Sequence, residues 1–189
     1  TVIDMAPHIM PGFDPEMAEY VEDYLADNGI MAMTNTRLEG VEGTESVEKV
    51  KTSRRAIKAD ALIMSLGIRA NTAFLEGTGL EMAPNRTILV DVHLRTNDPD
   101  IYALGDCAMV TNRMTGKRAW SPMGSSANIE GRIAAQNLAG AELSYPGVLG
   151  TGVVKHPGLN AGRTGLNEEA SRAEGHDVIT VTTVVDDKA

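Results

Sequence analysis

A proline two residues ahead of a short apolar run that closes on Gly-Asp constrains this chain more than any other feature. The stretch reads Thr96-Asn97-Asp98-Pro99-Asp100-Ile101-Tyr102-Ala103-Leu104-Gly105-Asp106-Cys107-Ala108. Proline fixes φ and cannot donate into a ladder, so a tight turn is predicted here, with a strand only after Pro99. Ile101 to Leu104 is a short apolar run of the kind buried in a parallel sheet. Gly105 lets the backbone approach a neighbour closely, and Asp106 puts a carboxylate at the carboxyl end of that strand. Ligands bind at that edge in open α/β sheets. Two readings stand side by side on these residues: a ligand-site carboxylate, or an aspartate that caps the next segment.

Composition removes several function classes. The 189 residues suffice for one or two domains, and 42% apolar content can build a core. A net charge of −9 argues against general binding to nucleic acid or anionic membranes, which need basic patches. Aromatics at 4% leave little for a base-stacking platform. One cysteine excludes an internal disulfide and a multi-thiolate centre, and no metal is expected. The longest apolar stretch, Ala61 to Ile68, falls far short of the ~20 residues of a membrane helix.

Periodicity places the elements. Val2-Ile3 is strand-like and ends in Asp4, with Pro7, Pro11 and Gly12 behind it. Asp14 suits an N-cap and Pro15 the first helical position, while Met17, Ala18, Val21, Tyr24 and Leu25 fall on one face. Asn28-Gly29 stops that helix, and Ile30 to Met33 reads as a strand. From Thr36 to Lys58, Val41, Val47, Val50 and Ile57 sit among polar residues as in a β-meander, turning near Glu42-Gly43 and Ser53-Arg54. Ala59 to Gly67 is predicted to return as a buried strand. A helix is expected from Ser125 to Leu138, with Ala127, Ile133, Ala134 and Leu138 as its core face and Gly140 as its stop. Tyr145-Pro146-Gly147 is a linker signal. Beyond it lie strand-like residues near Val153, a short helix capped by Asn167 and ended by Gly175, and a β-branched strand from Asp177 to Val185. His93 reads as a structural histidine and Cys107 as a small buried thiol rather than a nucleophile.

The pattern T-x-x-P-x-I-Y-A-x-G-D-x-A resembles the second flavin-binding motif of the FAD-dependent pyridine nucleotide-disulfide oxidoreductases. Gly67-Ile68-Arg69-Ala70-Asn71-Thr72, Trp120 to Asn128 and Gly131-Arg132 follow that family's order, with Ala70 where a proline is usual. Within the family the similarity leans to coenzyme A-disulfide reductases and NADH oxidases. The resemblance implies an α/β fold: partial Rossmann-like NAD and FAD domains plus the start of an α+β dimerisation domain. Its divisions are 1–68 for the C-terminal part of the NAD(P) domain, 69–145 for that of the FAD domain, and 146–189 for a truncated dimerisation domain. His156-Pro157-Gly158 departs from the family's pattern in that last segment, and Asp186-Asp187-Lys188-Ala189 closes the chain.

Residue by residue, the resemblance implies FAD contacts for Gly105, Asp106, Met123 and Ala127, with Asp106 on the ribityl chain. It implies NAD contacts for Asp4 and Gly67, and a substrate-proximal place for Asn128. A surface aspartate and an ordinary first-turn helix polar are the alternatives for Asp4 and Asn128. The N-terminus of the helix after Trp120 would face the pyrimidine end of the flavin, where a positive helix end favours negative charge.

The implied reaction is hydride transfer from NAD(P)H to FAD, then electron transfer to a disulfide of the coenzyme A type or to oxygen. A cytoplasmic homodimer is expected, with a small-molecule partner and neither nucleic acid nor membrane. Catalysis would need two G-x-G-x-x-G motifs and a redox cysteine. Gly77-Thr78-Gly79 and Gly150-Thr151-Gly152 do not supply such a motif. The family's redox cysteine is expected upstream of Thr1, which leaves no catalytic residue here, so the chain by itself is expected to be silent and to bind nucleotide weakly. Two alternatives stand beside this: a piece of a rubredoxin- or ferredoxin-type flavin reductase, or a self-associating fragment. The segment Thr164-Gly165-Leu166-Asn167-Glu168 favours the coenzyme A-disulfide and NADH oxidase side.

Overall fold

Local sequence preference and the observed backbone agree best at the first helix. The computed structural model describes residues 1–156 and 158–185; Pro157 and residues 186–189 lie outside them. The chain divides into two units, residues 1–66 with the described residues from Leu166 onward, and residues 67–165.

In the first unit, β1 (Val2–Ile3) pairs in parallel with β2 (Ala32–Met33), and α1 (Pro15–Asp27) connects them. Pro15 opens α1 because its missing N–H would be an orphan there anyway. The buried stripe is Ala18, Val21 and Leu25, while Met17 turns outward, at the edge of that stripe. Gly29, at φ 75°, ends the helix in the left-handed region that a side chain disfavours. Asp14 stands at the N-cap but does not cap α1. Its carboxylate accepts the Glu168 N–H at 2.8 Å, the first residue of α3 (Glu168–Ala173). Asn167 caps α3 through the Ala170 N–H at 2.9 Å, and its amide donates to the Phe13 carbonyl.

The meander is a three-stranded antiparallel sheet of β3 (Leu38–Glu42), β4 (Lys49–Thr52) and β5 (Ala56–Lys58). Val50 is buried between Val41 and Ile57, and Lys49 and Lys51 flank it on the exposed face beside Glu42. The predicted buried strand from Ala59 to Gly67 is not present. That segment is irregular and exposed, with Ile63 at 91%, because no described strand lies beside it to complete a ladder. Asp177 to Val185 likewise forms no strand, for the same lack of a partner.

In the second unit, β6 (Ile88–Leu89) pairs in parallel with β7 (Ala108–Thr111), and β7 pairs antiparallel with β8 (Arg118–Ala119). Helix α2 (Gly124–Leu138) lays Ala134 into a core of Ile88, Val90, Leu94, Ala103, Ala108, Val110, Tyr145 and Val148. Leu138 does not join it. Asn137 takes the inward place in the last turn, where it donates to the carbonyls of His93 and Leu143 and accepts the Leu143 N–H. Those three bonds rotate Leu138 to solvent. The hairpin β9 (Gly152–His156) and β10 (Leu159–Arg163) keeps regular register, His156 opposite Leu159.

Leu94 is the centre of this core, 0% exposed at a φ of 67°. Leu94→Ala should cost about 2–5 kcal/mol of stability, read as a lowered urea midpoint. Tyr145 supplies a second test. Its phenol is pushed up to about 12, first by burial and then by the Glu130 carboxylate it faces, with Ser126 acting the other way. The folded state holds this proton more tightly than the unfolded chain, so νN exceeds νU. Its contribution is complete below pH 10.0 and is lost as pH rises towards about 12. The urea midpoint should fall across that window, and fall less in Tyr145→Phe; equal slopes would exclude Tyr145 as the cause.

Candidate functional site

The Pro99 turn forms as its residues dictate. Asp98 Oδ1 accepts the Asp100 N–H at 3.0 Å, Thr96 Oγ1 accepts the Asp98 N–H, and the Thr96 N–H reaches back to the Ile101 carbonyl at 2.9 Å. The strand expected from Ile101 to Leu104 is reduced to one bridge, Arg95 opposite Tyr102. Ile101 is exposed and only Ala103 is fully buried, while the regular strand, β7, lies on the far side of Gly-Asp. The Arg95 side chain holds this passage, donating to the Tyr102 hydroxyl at 2.8 Å and to Glu142 at 2.7 Å. That hydrogen bond to Arg95 keeps the Glu142 carboxyl below the usual carboxylate range.

Gly105 then turns the chain. Its φ of 71° is in the left-handed region, and a methyl placed on it would meet the Ala127 Cβ at 3.3 Å. Gly105–Cys107 is a single 3₁₀ turn, which takes the Gly105 N–H out of any sheet. The Glu130 carboxylate accepts that N–H at 2.6 Å. The next carbonyl, of Asp106, accepts the indole Nε1–H of Trp120 at 2.8 Å. Cys107 is half-buried with its thiol directed to the Leu104 carbonyl, as expected of a packing thiol.

The Asp106 main chain is therefore held on both sides while its carboxylate is exposed and accepts from no described residue. A fixed backbone with a free, acceptor-only side chain suits hydroxyl groups of a polyol. Gly105, Asp106 and Ala127 come together here, with Met123 at the N-cap of α2 and Asn128 exposed on its first turn. The small first turn, Gly124-Ser125-Ser126-Ala127, leaves backbone N–H groups open at a positive helix end. These features fit a flavin at this place.

Asp4 lies in the first unit at the end of β1, where one carboxylate oxygen accepts the Ala6 N–H at 2.9 Å. Gly67 has a φ of 93° with open space around it. His93 is structural, its Nδ1 3.1 Å from the Leu143 carbonyl. Glu130, Trp120 and Tyr145 are the site neighbours that the sequence reading passed over. A signal for Glu130 existed: it stands four residues before Ala134 and seven before Asn137, on the buried stripe of α2. Among the described residues no His/Cys/Asp/Glu group could hold a metal ion, and no helix is long and apolar enough to cross a membrane.

Comparison with known proteins identifies the family. The family model described as "Pyridine nucleotide-disulphide oxidoreductase" matches residues 1–130. An "NAD(P)H sulfur oxidoreductase (CoA-dependent)" of Pyrococcus furiosus is 36% identical over 168 residues, covering 89% of this chain and 38% of its own length. An "NADH oxidase" of Methanocaldococcus jannaschii is 38% identical over 166 residues, covering 87% of this chain and 37% of its own. A crystal structure of an FAD-dependent pyridine nucleotide-disulphide oxidoreductase from Desulfovibrio vulgaris superposes with a TM-score of 0.87 at 36% identity. It covers 94% of this chain and 45% of that one. The chain thus spans under two fifths of the length of the curated relatives named here. The mixed helix–strand architecture expected from the sequence is the Rossmann-like architecture of these structures. By motif, by geometry and by similarity along most of its length, this chain belongs to the pyridine nucleotide-disulphide oxidoreductase family.

Proposed function

We propose that this chain supplies the Gly-Asp half of an FAD site in an oxidoreductase that passes a hydride from NAD(P)H to FAD and on to a small-molecule acceptor. The observation that carries the reading is the pinned Gly105-Asp106 backbone with its free carboxylate beside the open N-terminus of α2. Relatives are named for CoA-dependent sulfur reduction and for NADH oxidation, which supports a disulfide of the coenzyme A type, or oxygen, as acceptor. The flavin, when bound, supplies the hydride and electron chemistry; the protein supplies placement and electrostatics.

Each residue then has a role. Asp106 accepts from the ribityl hydroxyls. Gly105 and Ala127 keep the floor of the site low enough for the cofactor, with Met123 at its edge. The first-turn N–H groups of α2 favour negative charge on the reduced ring. Asn128, exposed on the same turn, lies towards the substrate side. Asp4 accepts from the adenosine ribose of the nicotinamide nucleotide. The domain division is 1–68 for NAD(P), 69–145 for FAD and 146–189 for dimerisation. A cytoplasmic homodimer with neither nucleic-acid nor membrane partners completes the reading.

A second reading, self-association, is favoured by the exposed apolar runs Ile63, Met64, Leu66, Ile68 and Ile179, Val181, Val184, Val185. The two separate by titration of FAD fluorescence with the purified chain. Weak but saturable quenching is expected, and Asp106→Ala should weaken it by roughly ten- to a hundredfold, the loss of hydrogen bonds to a charged acceptor. An affinity that ignores Asp106→Ala overturns the flavin reading.

A further inference from the structure

We propose that Glu130 is the positioning residue of the flavin turn: its buried carboxylate fixes Gly105 and thereby sets where Asp106 presents its own. The inference rests on the flavin reading of Gly105-Asp106 and goes beyond it by assigning a residue that touches no cofactor.

Glu130 is 1% exposed, in the middle of α2. A buried carboxylate is costly unless its oxygens are hydrogen-bonded, and an apolar side chain would pack this stripe at lower cost. Two groups answer that cost. The Gly105 N–H donates to Oε2 at 2.6 Å, the short distance of a charge-assisted bond, and the Tyr145 hydroxyl faces the same carboxylate. Tyr145 is itself buried and also meets Ser126, whose hydroxyl lies 3.2 Å from that of Ser121. The carboxylate is therefore held in one place by residues from two segments of the second unit.

What it holds is the N–H that opens the 3₁₀ turn at Gly105, a donor with no partner within that turn. The Gly105 N–H and the Asp106 carbonyl lie on either side of the planar Gly105–Asp106 peptide, so holding both restrains the backbone torsions between them. With both ends held, most of the ordering left for a ligand to impose is in the side-chain torsions of Asp106. Without Glu130 the turn would have to be ordered during binding, and affinity would fall by that entropy.

The test is an FAD titration of the isotope-labelled chain, following the amide resonances of Gly105 and Asp106. Wild type should give saturable shifts at both. Glu130→Gln keeps an acceptor oxygen for Gly105 and should stay within roughly threefold of wild type. Glu130→Ala should bind roughly tenfold more weakly or worse. Asn137→Ala removes buried hydrogen bonds further along the same helix and serves as the control for general loosening. It should lower the melting temperature while leaving FAD affinity within roughly threefold. The proposal is overturned if Glu130→Ala titrates as wild type does, or if Asn137→Ala loses FAD to the same extent. Should Glu130→Ala fail to fold, Tyr145→Phe frees the carboxylate without emptying the core, and FAD affinity unchanged in that variant would overturn the proposal. A wild-type chain whose Gly105 and Asp106 resonances ignore millimolar FAD would sink the flavin reading, and this inference with it. A binding wild type with an indifferent Glu130→Ala would sink this inference alone.

Discussion

One hydrogen bond, from the Gly105 N–H to the buried carboxylate of Glu130, ties the Gly-Asp turn of this chain to its longest helix. The turn needs it because the N–H that opens a helical turn has no partner within that turn, and a buried orphan donor costs about 1–3 kcal/mol. The helix needs it because a carboxylate in its buried stripe must find donors. Each therefore answers the other's requirement, and the approach of α2 that results brings the Ala127 Cβ to 3.3 Å from where a Cβ at Gly105 would stand.

The rest of the second unit is arranged to keep that approach constant. Asn137 fastens the far end of α2 to the carbonyls of His93 and Leu143, and Arg95 joins Tyr102 to Glu142. Between these two fastenings lies the apolar core around Leu94. The first unit uses the same device at smaller scale. Asp14, placed where it should cap its own helix, instead accepts from the first residue of α3, while Asn167 reaches back to Phe13. Short polar side chains thus serve segments distant in sequence, Asp14 in place of its own helix and Asn167 in addition to capping its own.

The exposed apolar runs have a common cause. Ala59 to Gly67 and Asp177 to Val185 carry the composition of strands, yet neither has a described strand beside it. Strand propensity is a statement about fitting a pleated, half-buried surface, and it is not realised without neighbours. Such runs are presented to solvent, where they are open to pairing.

The chain's local punctuation was legible in its residues. Pro15, Asn28-Gly29, the Pro99 turn, the alternation around Val50 and the Asn167 cap each follow from short-range stereochemistry, and each stands where expected. The motif around Gly105-Asp106 also marked the family. What could not be read was anything that depends on a distant partner: the strand from Ile101 to Leu104 that became a single bridge, the outward turn of Leu138, the redirected cap of Asp14. The clamp on the turn belongs to the same class, since the spacing of Glu130 to Ala134 and Asn137 marks it as inward-facing without saying what it would bind. The sequence by itself determined where the backbone must turn and which carboxylate would be offered, because φ limits and cap chemistry act within a few residues. Only the tertiary structure decided what holds that carboxylate in place, because the acceptor for the Gly105 N–H lies twenty-five residues away on another element.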